Sequence, residues 1–500
     1  MKNLIFNSNN NSNDNFNDNS DNSNNINMES SSFIENSTYI EKINNIFIKN
    51  IKIIDVVNDK EYYSDILIEN NVLKAIGKNI PLPTDDKKLK KLKDKLNENN
   101  ENNDRKIKIK KNFILIDGNG LVAAPAFTDI HVHLREPGDE QKEDIKSIKA
   151  SAFHGGVTSV FSMPNSNPCI DKDFLVKYIL LRASQENFKI YPVAAITRNL
   201  EGQEITEFGL LKQAGAIALS DDGKCVQDSK LMYEAMKYAA QFQIPLILHE
   251  EDYRFSQNCD AHEGYYSAKL GLDGMSSLSE EIIIARDILL AQKTKVKLHI
   301  THISSKGSVE LIKEAKQKGI NISCDVTPHH IFFNDSFLEN YNTNFKVNPP
   351  IRSEQDKEAL IEGLKSGVID AIASDHAPHL LEEKNTTFKQ AAFGVTGLET
   401  LFSACYTQLC KNKGFKISKL ISLMSYLPRK IFGLNFKNIS NENIGKKIDL
   451  VLIDTKSKIK ITNDFFFSKS LNSPFLGMQL DSEIICTINN GKIVYLKNGF

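Results

Sequence analysis

Between residues 121 and 375, short apolar, β-branched runs alternate with amphipathic stretches of helical period. The apolar runs fall at 121–133, 157–163, 190–196, 216–220, 244–249, 296–302, 321–326 and 369–375; helical stretches between them include 173–185, 230–241, 278–292 and 308–318. Alternation of this kind predicts parallel strands joined by helical crossovers. Eight such runs suffice to close a (β/α)8 barrel, the TIM-barrel architecture.

Both ends of the chain read differently. Residues 45–55, 62–77 and 113–117 near the start, and 447–454, 459–462, 483–488 and 492–495 at the close, are strand-like runs punctuated by Asn and Gly. They predict a small composite β-sandwich assembled from residues 41–82 and 112–124 with residues 441–500, around a barrel domain at 125–440. Residues 1–40 are rich in Asn, Ser and Asp with few apolar anchors, which predicts a disordered leader. Residues 83–111 carry Lys, Asn, Asp and Glu and read as a solvated, partly helical insertion.

Composition narrows the class. A chain of 500 residues that is 41% hydrophobic holds a large core and a smaller unit. A net charge of -1 gives no electrostatic case for nucleic acid or an anionic membrane surface. Seven scattered cysteines without a C-x-x-C pair point to reduced thiols and a cytoplasmic protein. No apolar run approaches membrane-spanning length, and the apolar start ends at Asn7, short of a signal peptide. The first arginine is Arg105, which argues against a transit peptide.

The chemistry gathers where the predicted strands end. Most run into a polar or ionisable group: His131 and His133, Asn165, Asp222, His249, His302, His329 and Asp375. In this barrel, active sites form at those ends. All 11 histidines lie between positions 131 and 379, inside the central block. In Asp129-x-His131-x-His133-x-Arg135, alternation in a strand puts two imidazoles and a guanidinium on one face. Two neutral imidazoles are half of a zinc site, and the arginine can grip a carboxylate with two hydrogen bonds. His131, His133, His249, His302 and His379 are the histidines read as chemical. Packing or loop-holding roles are expected for His154, His262, His299, His329, His330 and His376.

A family resemblance rests on the order of several motifs. These are Asp129-Ile-His-Val-His-Leu-Arg-Glu-Pro-Gly138, Met163-Pro-Asn165, Ser220-Asp-Asp-Gly223, Thr327-Pro-His-His330, Val347-Asn-Pro-Pro-Ile-Arg352, Asp375-His-Ala-Pro-His379 and Phe393-Gly-Val-Thr-Gly-Leu-Glu399. Together they resemble dihydroorotase, in the class I branch of the cyclic amidohydrolases, over about 45–80 and 113–500. The resemblance implies His131 and His133 as ligands of a first zinc, and His249 and His302 at a second metal position. Related hydantoinases and allantoinases bridge their metals with a carboxylated lysine on the fourth strand; here the position reads Leu219-Ser-Asp-Asp-Gly223. Asp222 is the implied carboxylate ligand, with Asp221 as the alternative. Asp375 is implied as the metal-contacting acid and base. Arg135, Asn165 and His379, helped by Asn348, are implied to hold the substrate's α-carboxylate, and Phe393 and Gly394 to contact the substrate.

The expected activity is the reversible cyclisation of N-carbamoyl-L-aspartate to (S)-dihydroorotate and water in pyrimidine (UMP) biosynthesis, with one or two zinc ions per subunit. A homodimer is expected, and association with aspartate transcarbamoylase stays open. Two rival readings are another cyclic amidase (dihydropyrimidinase, hydantoinase or allantoinase) and an inactive scaffold for the transcarbamoylase. The absent fourth-strand lysine and the presence of Arg135 and Asn165 count against the first; the full ligand set counts against the second. The chain also departs from the family pattern. Ala126 stands at a usual Gly, Glu250 at a common Cys, and Leu427-Pro-Arg429 where Asn-Pro-Ala is usual.

Overall fold

The computed structural model describes residues 43–81, 107–110 and 113–498, so the expected leader at 1–40 and most of the expected insertion at 83–111 lie outside the described residues. The N-terminal side supplies β1 (Asn45–Asp55), β2 (Lys60–Glu69), β3 (Val72–Gly77), β4 (Ile107–Lys110), β5 (Phe113–Asp117) and β6 (Val122–Pro125). The central block supplies β7 (Phe127–Val132), β8 (Val157–Ser162), β9 (Lys189–Ala195), β10 (Ala218–Ser220) and β11 (Leu246–Leu248). After a two-stranded loop ladder of β12 (Ala261–His262) and β13 (Gly274–Met275) come β14 (Leu298–Ile300), β15 (Ile322–Val326) and β16 (Ala371–Ile372). The chain finishes with β17 (Leu450–Lys460), β18 (Gln479–Asn489) and β19 (Lys492–Leu496).

The strands from both ends form one nine-stranded sheet ordered β19-β18-β17-β6-β1-β2-β3, with β5 on β1 and β4 on β5. Its seam is the antiparallel pairing of β17 with β6, Val451 opposite Ala124. β1 serves two neighbours in turn: residues 45–49 pair with β5 and residues 52–53 with β6. The change of partner coincides with a bulge between Ile48 and Ile51. There Asn50 adopts φ 50 and donates its N–H to Asp65 Oδ1 at 2.9 Å, a conformation Asn tolerates better than most residues. At 107–110, inside the segment expected to be partly helical, the chain is a strand. Its Ile-Lys-Ile-Lys alternation is a period-2 signal that the charge count masks.

One expected strand, 121–133, proves to be two. Pro125 has no N–H to continue a ladder, and the chain leaves the small sheet there. Ala126 donates instead to the Asp449 carbonyl at 3.2 Å, and β7 starts the barrel one residue later. The barrel strands run in sequence order, β7-β8-β9-β10-β11-β14-β15-β16, all parallel. The circle is drawn together beyond β16, where Val132 bridges His376 and the His133 N–H donates to the His376 carbonyl at 3.0 Å. Buried Asp129 reinforces the closure, accepting from the Ser374 N–H at 3.1 Å.

Crossover helices match the periodic stretches closely: Asp173–Gln185, Ser229–Phe242, Leu278–Thr294 and Lys306–Gln317. Asp228 and Ser305 cap two of them by accepting the N–H groups of Leu231 and Ser308, satisfying donors that have no intrahelical partner. Inside the barrel, Ile130, Phe161, Val193, Ala218, Ile247 and Ala371 come from six different strands and meet one another and Phe432. That apolar layer fills the barrel, so chemistry is confined to its end. Among the described residues no helix is long and apolar enough to cross a membrane.

Candidate metal centre and active site

At the C-terminal ends of the barrel strands, five predicted residues converge. His131 Nε2 lies 3.4 Å from Asp222 Oδ1 and 3.5 Å from Asp375 Oδ1. His133 Nε2 lies 3.2 Å from Asp375 Oδ1 and 3.7 Å from Asp222 Oδ2, and His302 Nε2 lies 3.8 Å from Asp222 Oδ1. All five side chains are buried. His131 on β7 and His133 just beyond its end both face Asp375, and the register against β8 shifts between Asp129 and Val132. A bulge re-aims side chains at such a point.

The donor set fits a metal ion. His131 Nε2 and Asp222 Oδ1 are buried polar atoms without a hydrogen-bond partner, a costly condition unless something else satisfies them. The spacings of 3.2 to 3.8 Å match the distance between neighbouring ligand atoms that each lie about 2.1 Å from a tetrahedral ion. Two groups of three, His131 with Asp222 and His302, and His131 with His133 and Asp375, have all their ligand atoms within 4.8 Å of one another. The electrostatics agree. Burial alone would raise the Asp222 pKa, but His131 and His302 hold it well below the usual carboxylate range. Burial disfavours a charged His131, yet Asp222 and Asp375 push its pKa up to about 9. The site has carboxylate charge to spare for a cation.

Supporting hydrogen bonds hold the His131 and His133 imidazoles with one nitrogen facing the centre. His131 Nδ1 lies 2.6 Å from Thr301 Oγ1, whose hydroxyl in turn donates to Asp325 Oδ2 at 3.1 Å. Asp325 also accepts the His302 N–H and faces His299 Nε2, which accounts for His299 as a support. His133 Nδ1 bonds Asn165 Oδ1 at 2.8 Å, while Asn165 Nδ2 donates to Asp222 Oδ2 at 3.2 Å. Both ends of the Asn165 amide are therefore engaged at the centre. His249 stands slightly apart from the five: its Nδ1 is 3.1 Å from His302 Nε2, and its Nε2 is held at 2.8 Å by Glu251.

Asp221 is turned away. It accepts the backbone N–H groups of Ile196 and Thr197 at 2.8 and 2.9 Å, together with the Thr197 hydroxyl. Burial raises its pKa to about 6. Glu250, at the usual Cys position, is likewise buried away from the centre, where burial and Asp287 push its pKa well above the carboxylate range.

Beside the centre lies a second cluster. Arg135 donates Nε to the Pro378 carbonyl at 3.0 Å and brings a terminal nitrogen to 3.4 Å from His379 Nε2. His379 Nε2 is 2.7 Å from the Phe393 carbonyl. Gly394 holds φ 129, where a Cβ would meet Ala377 Cβ at 2.8 Å. Asn348 donates to Glu251 Oε2 at 2.8 Å, so Glu251 joins Asn348 to His249. A cavity of about 260 Å³ opens here, lined in part by Glu251, Asn348 and Phe393. Three site residues, Arg135, His302 and Asp375, have φ of 61, 38 and 48. Strained backbone of this kind concentrates where function demands it.

Sequence reading missed Glu251, Thr301 and Asp325. Glu251 had a signal, a carboxylate two residues after a strand-end histidine. Thr301 and Asp325 sit on neighbouring strands, where only the fold reveals the pairing.

Comparisons with known proteins bear on identity. A family model described as Dihydro-orotase-like matches residues 120–308. The dihydroorotase of Caldicellulosiruptor saccharolyticus is 46% identical over 450 residues, 90% of this chain and 98% of the relative. That of Bacillus subtilis is 41% identical over 391 residues, 78% of this chain and 91% of the relative. Among solved structures, L-hydantoinase from Arthrobacter aurescens superposes with a TM-score of 0.74 at 22% identity, covering 91% of this chain and 97% of that one. Dihydropyrimidinase from Brevibacillus agri gives 0.72 at 19% identity, covering 91% and 95%. The structural likeness supports the barrel and its companion sheet as a fold. Identity of 46% across almost the whole of a relative goes further, and the chain belongs to the dihydroorotase family.

Proposed function

We propose that this site binds zinc, one or two ions, and interconverts N-carbamoyl-L-aspartate with (S)-dihydroorotate and water. The observation that carries the reading is the convergence of His131, His133, Asp222, His302 and Asp375 around unpartnered buried ligand atoms. His131 and His133 are assigned to a first position, His249 and His302 to a second, with Asp222 between them and Asp375 in contact with the first. Zinc supplies, when bound, a lowered pKa for water and Lewis-acid polarisation of the reacting carbonyl.

The chain's own groups do the rest. Asp375 is held below its ordinary pKa: burial opposes the charge, and His133 and His131 overcome it. It is thus ionised at neutral pH and can take a proton in ring opening and return it to the departing amide nitrogen. Arg135 and His379 border the α-carboxylate that persists through the reaction, and a planar guanidinium suits that group. Asn165 lies alongside while it locks His133 to Asp222. Asn348 and Phe393 line the cavity, with Gly394 next in the chain. Ring closure turns two carboxylates into one and consumes a proton, so acid favours dihydroorotate and alkali the open form.

The resemblance carries the proposal on to a cytoplasmic homodimer in pyrimidine biosynthesis, with association with aspartate transcarbamoylase as a separate question for co-purification. Turnover of dihydroorotate by the purified protein, before and after chelation and zinc return, tests the reading. Activity lost and regained with zinc is the expected result.

A further inference from the structure

Among the described residues two lysines are buried: Lys346, which lines the cavity, and Lys384, whose Nζ meets the Lys346 carbonyl. Lys346 and Lys384 are 2% and 5% exposed, although lysine is among the side chains least often buried. Lys346 Nζ donates to Asp260 Oδ1 at 3.0 Å and to the carbonyls of Phe388 and Lys389, both at 2.8 Å. Lys384 Nζ has no carboxylate in hydrogen-bond contact. Its partners are the carbonyls of Ala392 at 2.8 Å, Gly394 at 3.0 Å and Lys346 at 3.3 Å. The neighbouring Glu383 is occupied elsewhere, with Lys142 and His379.

Every one of these carbonyls but one belongs to residues 388–394, the loop that carries Phe393 and Gly394. His379 takes the Phe393 carbonyl, and Asn472 shares that of Gly394. The Gly394 N–H is spent on the Lys346 carbonyl at 3.0 Å. The Phe393 N–H, by contrast, has no acceptor among the described residues. Lys346 also sits 4.6 Å above the centroid of the Phe393 ring, within cation–π range. The carbonyls of Phe388, Lys389, Ala392 and Gly394 are thus held by the two lysines, and Phe393, its N–H unspent, lines the cavity that Glu251 and Asn348 share.

We infer that Lys346 and Lys384 are positioning residues for substrate: their buried Nζ donors fix residues 388–394 so that the Phe393 N–H and ring are presented to the ligand. The inference rests on the proposed function, since it takes Phe393 to touch the substrate. Burying an ammonium against neutral carbonyls is costly, and burial, then Lys346, push the Lys384 pKa down to about 7. A pair held at such cost beside the reaction centre, and touching no metal ligand, serves the loop it grips. Lys346 is also two residues from Asn348, which lines the same cavity.

The test uses the zinc-loaded full chain. Lys384→Met removes the donors at similar length. Expected are wild-type zinc content, a kcat within about threefold, and a KM for dihydroorotate raised about tenfold or more, the signature of lost binding. Lys384→Gln, which retains two N–H donors, should recover part of that KM and serves as the readout if the Met variant does not fold. A KM unchanged in the variant that folds, with only melting temperature lowered, overturns the inference and makes the pair a fold-holding device. Failure of the wild-type chain to turn over dihydroorotate would instead count against the proposed function, so the two failures are distinguishable.

Discussion

Asp221 and Asp222 are adjacent in sequence and face opposite ways. Asp222 lies 3.4 Å from His131 at the centre, whereas Asp221 spends its carboxylate on Ile196 and Thr197 in the next loop. The resemblance implied Asp222 as the ligand with Asp221 as the alternative, and the two carboxylates have separable consequences.

Asp222→Asn removes a charge that the histidine cluster surrounds, and with two metal ions bound as proposed their repulsion would be less screened. Metal content should fall, first at the position of His249 and His302, and most activity should go with it. Asp221→Asn should keep its metal and lose stability, because backbone donors at 196 and 197 lose an ionised acceptor. An aspartate ligand needs no carbon dioxide, so metal reconstitution should be indifferent to added bicarbonate. Elemental analysis of the two variants, with and without bicarbonate, checks all three statements.

Much of this was legible in the chain. Strand ends such as His249 and Asp375 announce themselves because an apolar run stops at an ionisable group. Other features needed the fold. The run 121–133 reads as one strand because periodicity says which face is buried and not which sheet buries it; Pro125 was the hint. The register shift between Asp129 and Val132, beside His131, carries no signal in the alternation. Asn165, expected beside the substrate's carboxylate, also bonds His133 and Asp222, a link that no motif spacing shows. Lys346 and Lys384 lay outside every motif and are joined by carbonyls, which carry no sequence signal.

Arg135→Lys keeps the positive charge and loses the fork. Arg135 already commits Nε to the Pro378 carbonyl, so the substituted ammonium must choose between that anchor and the carboxylate. KM for dihydroorotate should rise about tenfold or more, the worth of a hydrogen bond to a charged group, with zinc content unchanged. Loss of zinc would move Arg135 from the substrate to the structure of the centre.

Glu251 holds His249 Nε2 and so leaves Nδ1 facing His302. Glu251→Gln should weaken metal at the second position about 10- to 100-fold, as loss of a carboxylate behind a metal-binding histidine does. Competition with a chelator reads this directly. Unchanged affinity would leave Glu251 acting only through Asn348.

Lys384 gives a pH signature of stability. Its folded pKa is pushed down to about 7 from a model value of 10.5, so between those values the unfolded chain binds the extra proton. Stability should therefore rise with pH across that window. Lys384→Met should show a shallower rise in chemical denaturation at pH 7 to pH 10. Identical slopes in the two proteins would mean that Lys384 titrates as an ordinary lysine.

The central claim is that this barrel end is a zinc centre acting on a ring that bears a carboxylate. Its most direct test is zinc content of the purified protein measured alongside turnover of dihydroorotate, hydantoin and allantoin. The account predicts one or two zinc ions per chain, turnover of dihydroorotate that is lost on chelation, and little on the other two rings. A chain that binds no zinc, or that prefers hydantoin or allantoin, would contradict it.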